Sequence, residues 1–165
     1  IFSKFNYLYF FAKKFKKIKI KYKKKKFNNN KKQQDRQNVS KVFHIQDNQL
    51  ENILFYLSSV RNFCAHGNRL YCFRTKRPLA DMQAHISLAI PQTDGKEYDY
   101  GKRDLFAAML ALHYVLPAAT YKKLIKEIYR LFSTLSPKLS VLREDDILKE
   151  MGFPNDWRNK LLSLK

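Results

Sequence analysis

The run "LFAAMLALHYVL", residues 105–116, is apolar at nearly every position. Leu and Ala are strong helix formers, and Pro117 closes the segment because proline cannot continue a helix. A helix without a polar face is not stable on a surface and must be enclosed by other elements. The chain is therefore expected to wrap further helices around this one, the central member of a bundle. Composition agrees, with only 4 Gly and 5 Pro to interrupt helices and 45% hydrophobic residues to build a core. A chain of 165 residues suits a single domain.

The wrapping helices can be located by their periodicity. In "DNQLENILFYLSSVRNFCAHG", apolar Leu50, Ile53, Leu54, Leu57, Val60 and Cys64 recur at three- and four-residue steps. This predicts a helix over about 48–65, capped at its start by Asp47 or Asn48 and closed by Gly67. A shorter amphipathic helix is expected in "DRQNVSKVFHI", with Asp35 as its N-cap and Val39, Val42 and Phe43 as its apolar face. Pro78, Pro91 and "TDGKEYDYGK" mark loops around one short helix near Asp81–Leu88. After Pro117, "TYKKLIKEIYRLFSTLS" places Leu124, Ile128, Leu131, Phe132 and Leu135 on one face. Two short helices end the chain, in "REDDILKEMGFP" and "NDWRNKLLSL". Gly152 and Pro154 separate them, and Asn155 is expected to cap the second. No strand-like alternation and no internal repeat appears. The fold class is all-α.

Charge divides the chain differently. Of the formal net charge of +19, residues 1–32 supply 13 lysines and no carboxylate, leaving +6 for the remainder. The Lys-, Phe-, Tyr- and Asn-rich segment 1–32 keeps no steady period. It is expected to be a poorly structured basic arm, distinct from a helical domain over 33–165. Its charge suits any polyanion: an RNA strand with its bases stacked on the aromatics, or an anionic membrane surface. The apolar stretch "IFSKFNYLYFFA" is broken at Lys4 and is too short for the ~20 residues of a bilayer span, so no transmembrane segment is expected. Its charge follows the apolar run, the reverse of a signal peptide. A cytoplasmic protein with reduced thiols is expected.

The stretch "SSVRNFCAHGNRLYCF" carries the chemistry. RNA can be cut without a metal when a base takes the 2′-hydroxyl proton and an acid protonates the departing 5′-oxygen. Histidine serves either task near neutral pH, and a guanidinium fork suits the charged phosphorane. His66 is thus a candidate acid/base, Arg61 a candidate phosphate binder and Asn62 a candidate orienting group. Arg61 and His66 lie about 140° apart on an ideal helix. They share a face only if the helix ends or distorts before His66, which Gly67 makes plausible, or if a composite dimer site relaxes the requirement. One imidazole cannot make both proton transfers, whereas a two-fold dimer would bring a second. Spacing alone leaves open a helix-end Arg and a His without a catalytic role.

"VRNFCAHGNRLY" resembles the Arg-Asn-x-Cys-Ala-His-x-x-Arg-Leu signature of the abortive-infection (Abi) D/F family, part of the HEPN superfamily of helical ribonucleases. "KKQQDRQNVSKVFHI", "YGKRDLFAAMLALHYVLP" and "LKEMGFPNDW" follow the same order, so the resemblance covers about residues 33–160. It implies a HEPN-like helical bundle that dimerises and cleaves RNA, with Arg61, Asn62 and His66 in the catalytic positions and Arg69 in a signature position of open role. It further implies phage defence, RNA as substrate and an inhibiting antitoxin protein or RNA. The alternative is a non-catalytic RNA-binding or toxin–antitoxin module on the same fold. A third is a nucleic-acid binder driven by the basic arm. The chain is shorter than the family it resembles and starts at Ile1, so it is expected to be a piece of a longer protein, with residues 1–32 as a truncation remnant.

No cofactor and no metal is expected. Cys64, His66 and Cys72 would lack a nearby fourth ligand for structural zinc, and Cys64 sits on an apolar face. His113 is expected in the core or an interface, His44 and His85 at the surface. The acids of "REDDILKE" suit a solvated helix start.

Overall fold

The helical pattern is realised in a computed structural model that describes residues 31–141 and 143–164. Its α-helices are α1 (Lys31–Val42), α2 (Asp47–Ala65), α3 (Gln83–Ser87), α4 (Leu105–Val115), α5 (Ala118–Leu135), α6 (Glu144–Glu150) and α7 (Trp157–Ser163). Short 3-10 turns occupy Leu70–Cys72 and Ser136–Lys138. Among the described residues there is no strand, only an isolated antiparallel bridge between Gln92 and Tyr98. The fold is all-α. No helix among them is long and apolar enough to cross a membrane.

α4 is the axis. Residues 105–112 are all fully buried, against α2 on one side and α5 on the other. Asp104 starts the helix, its Oδ1 accepting from the Ala107 N–H at 2.9 Å, a side-chain cap worth about 1 kcal/mol. Its Oδ2 accepts from the Gly101 N–H at 2.9 Å, and its carbonyl accepts from the Tyr56 hydroxyl of α2 at 2.8 Å. Desolvation pushes the Asp104 carboxyl above the usual carboxylate range, against the pull of those N–H groups. The Leu105 N–H donates to the Met151 carbonyl at 3.2 Å, so the start of α4 also holds the turn between α6 and α7.

The terminal helices are fastened by aromatic rings. Phe153 lies edge-on to Phe106 at 5.5 Å and to Trp157 at 5.2 Å, and Trp157 reaches Phe132 of α5 at 6.3 Å. Such pairs add about 0.5–1.5 kcal/mol each beyond area burial. Burying Trp157 at the head of α7 also moves the helix start. The cap position is Asp156, without a side-chain cap bond, rather than the expected Asn155.

Other expectations need correction. α1 is already helical at Lys31 and Lys32, upstream of the expected Asp35 cap, while the arm over 1–30 lies outside the described residues. Its expected apolar face is formed only in part: Val39 and Phe43 are half-buried, Val42 is 72% exposed, and Ser40 is buried and donates to the Gln37 carbonyl. A helix this rich in Lys and Gln has little apolar surface to bury where it meets α2. At α2 the N-cap is Gln46, one residue before the expected Asp47, and its N–H donates to Gln49 Oε1 at 3.3 Å.

His85, expected at the surface, is completely buried. Its Nδ1 accepts from the Met82 N–H at 3.1 Å, Nε2 lies 2.8 Å from the Gly101 carbonyl, and the ring stacks on Tyr98 at 4.8 Å. These partners fit a neutral imidazole protonated at Nε2. Burial holds the imidazole below the usual histidine range; the Gly101 and Met82 carbonyls oppose this, Lys102 reinforces it, and Asp81 opposes it. The unfolded chain takes up the proton near pH ~6.5, so the stability contributed by neutral His85 is present above that pH and is lost as pH falls through the folded-state value. Asp104 works in the opposite sense, favouring the fold below about pH 4 and losing that contribution as pH rises through its raised value. The urea midpoint is therefore expected to fall between pH 7.5 and 5, and less steeply in a His85→Gln chain. An equal fall in both chains would remove His85 from the explanation.

Candidate functional site at the end of α2

α2 buries Leu50, Ile53, Tyr56, Leu57, Val60 and Cys64 against the core. The opposite face of its last turns then meets solvent, and Arg61, Asn62, Ala65 and His66 are all exposed. Gly67 ends the helix in the left-handed region, at φ 72°. Its N–H donates to the Cys64 carbonyl and that of Asn68 to the Phe63 carbonyl, both at 3.3 Å. These are the two bonds of a Schellman cap. His66 is the C-cap residue (φ −84°, ψ 9°), with its N–H on the Asn62 carbonyl at 3.1 Å. The helix therefore runs up to His66 rather than ending before it, so Arg61 and His66 stay about 140° apart on it within one chain.

The chain then returns along α2. Leu70 and Phe73 are buried, and Phe73 lies edge-on to Phe63 at 5.2 Å and to Tyr56 at 6.1 Å. Arg69, at the head of the Leu70–Cys72 turn, is exposed, and its carbonyl accepts from the Cys72 thiol at 3.1 Å. The structure thus brings Arg61, Asn62, His66 and Arg69 to one exposed helix end. It joins none of their side chains by a hydrogen bond or ion pair, either to each other or to another described residue. A guanidinium left free in this way keeps its full set of donors for an external anion.

The two cysteines part company: Cys64 is in the core, Cys72 is exposed, and neither is in a disulfide. Among the described residues no three His, Cys, Asp or Glu side chains converge as a metal-ligand group. A cleft of about 760 Å³ opens elsewhere, between Tyr98–Asp104 and Lys149–Asn155, and none of the four motif residues lines it. Its cations serve the fold. Lys102 pairs with Asp81, Arg74 donates to the Glu150 carbonyl at 2.7 Å, and Arg103 donates to the Thr75 and Lys76 carbonyls. The polar groups that sequence reasoning missed, His85 and Asp104, are buried fastenings; Asp104 had a signal, an Asp directly before an apolar helix.

Residues 6–72 match the family model described as Abi-like protein. The match supports an Abi family member. It contains Arg61, Asn62, His66 and Arg69. It begins well inside the Lys-rich segment that the sequence reading set outside the family-like part. It ends at Cys72, so the Abi-like resemblance noted for "YGKRDLFAAMLALHYVLP" and "LKEMGFPNDW" lies beyond it. No curated protein and no solved structure matches the chain.

Proposed function

We propose that the chain acts in abortive infection, the bacterial defence against phage, as a metal-independent endoribonuclease of HEPN type. Arg61, Asn62 and His66 form its centre, and two copies of the chain share one site. The observation that carries this is the exposure of these three side chains, without side-chain partners among the described residues, at the capped end of α2 inside the Abi-like stretch. The 2′-oxygen attacks phosphorus and the P–O5′ bond breaks. One His66 takes the 2′-hydroxyl proton, and the second delivers a proton to the departing 5′-oxygen. The Arg61 guanidinium holds the extra negative charge of the phosphorane, and Asn62 orients either group by hydrogen bonding. One protomer supplies one imidazole, which is why the reading includes a dimer. An antitoxin protein or RNA would act by covering this end of α2.

The reading is tested by incubating the chain with single-stranded RNA in EDTA. Products ending in 2′,3′-cyclic phosphate are expected, since the mechanism makes the 2′-oxygen the nucleophile. Binding without cleavage would replace the enzyme by a non-catalytic RNA-binding module.

A further inference from the structure

α5 carries a charge pattern that neither the fold nor the α2 site uses. Its inner face, Tyr121, Leu124, Ile125, Ile128, Phe132 and Leu135, is buried. Its outer face exposes Lys122, Lys123, Lys126 and Arg130, with Glu127 as the sole carboxylate of the helix. Lys122, Lys126 and Arg130 follow one another at four-residue steps. Like charges at that spacing repel and cost a helix about 0.2–0.5 kcal/mol per pair, where a Glu would have stabilised it. Tyr129, 43% exposed, sits in the same row, and the Arg158 guanidinium of α7 covers its ring at 4.1 Å. None of these cations has a carboxylate partner among the described residues.

We propose that this face of α5 is a second RNA-contact surface, which grips the phosphates of a single strand away from the α2 end. Three cations over eight residues span about 12 Å, enough to contact successive phosphates of one strand. Phosphate contacts of this kind hold a strand without reading its sequence. A membrane surface is a poorer fit, because interfacial helices insert an apolar face and that of α5 is committed to the core. α2 and α5 both pack on α4, and the row belongs to a different helix from the α2 end, so it is proposed as a separate contact. The charge argument stands by itself; naming RNA rather than DNA rests on the ribonuclease reading.

The test uses the full chain and a fluorescent 2′-O-methyl RNA 20-mer, which lacks the nucleophile, so binding is read whether or not the chain cleaves RNA. Affinity is measured by anisotropy over a range of KCl. The Lys122→Glu/Lys126→Glu/Arg130→Glu chain is expected to bind roughly tenfold or more weakly at 0.1 M salt. Its salt slope should be shallower by about 2, at ~0.7 per lost single-strand phosphate contact. The Gln triple, which removes the charge and its repulsion, should lose the same slope with helicity by circular dichroism kept; it decides the matter if the Glu triple misfolds. A control with equal charge change at exposed sites, Lys41→Glu/Lys96→Glu/Lys149→Glu, should stay near the starting slope. Equal weakening by both Glu triples would mean net charge alone and would overturn the proposal. So would unchanged RNA binding, including the case in which only binding to phosphatidylserine vesicles is lost.

Discussion

Replacing His66 by alanine is expected to lower RNA cleavage by about 10²–10⁴-fold, the usual worth of a positioned proton donor or acceptor. The fold should not notice. His66 is exposed, its side chain makes no hydrogen bond, and the backbone N–H that joins it to the Asn62 carbonyl is untouched. Thermal midpoint and circular dichroism should therefore match the starting chain, and RNA binding should persist because Arg61 remains. Arg61→Ala should weaken both binding and turnover, since it removes the fork that holds the phosphate. The shared site adds a sharper expectation. Since each turnover uses both imidazoles, a hybrid dimer of one His66→Ala chain and one unaltered chain should be inactive, so excess His66→Ala chain added to the unaltered chain should depress activity beyond simple dilution. Full turnover by His66→Ala would sink the catalytic assignment, and activity that falls only by dilution would argue against a two-chain centre.

The largest effect on stability is expected at Gly152. Its φ is +79°, a conformation that costs an L-residue about 1–2 kcal/mol. A Cβ there would stand 2.4 Å from Asp104 Cγ and 2.5 Å from its Oδ2. The carboxylate of Asp104 is held by the Ala107 and Gly101 N–H groups and its backbone by the Tyr56 hydroxyl, so it cannot yield without losing those bonds. Gly152→Ala must therefore push the carboxylate off the start of α4, adding a lost cap of about 1 kcal/mol and an overpacking cost of about 1–3 kcal/mol. A loss of about 3–6 kcal/mol is expected from urea unfolding, a large part of the total stability of a small domain. Gly67 is the control. Its φ is +72°, yet nothing lies within 4 Å of its would-be Cβ, so Gly67→Ala should cost only about 1–2 kcal/mol. Equal losses at the two glycines would show that the Asp104 contact is not what fixes the turn between α6 and α7.

Much of this molecule is legible without coordinates, and the reason is periodicity. The apolar steps of α2 place its core face and its end at Gly67, and the unbroken apolar run of α4 requires burial on all sides; both are local properties of the chain. The buried face of α5 follows from the same arithmetic, and Leu131, expected on it, is half-buried. α1 shows where periodicity gives out. Of Val39, Val42 and Phe43, the first and last are half-buried and Val42 is left in solvent, while the polar Ser40 between them is buried.

The candidate site divides along the same line. Sequence alone determined which residue types stand together at the end of α2, since Arg61, Asn62 and His66 precede a glycine that must stop the helix. Only tertiary structure decided that all three side chains face solvent unpartnered, because exposure depends on what the rest of the chain covers. It likewise decided that His85, similar in its local sequence to a surface residue, is sealed beneath Tyr98 and bound to Gly101. It decided too that Gly152 must be glycine, because Asp104 lies against it from 48 residues earlier in the chain. Such contacts join residues far apart in the chain, and no local pattern encodes them.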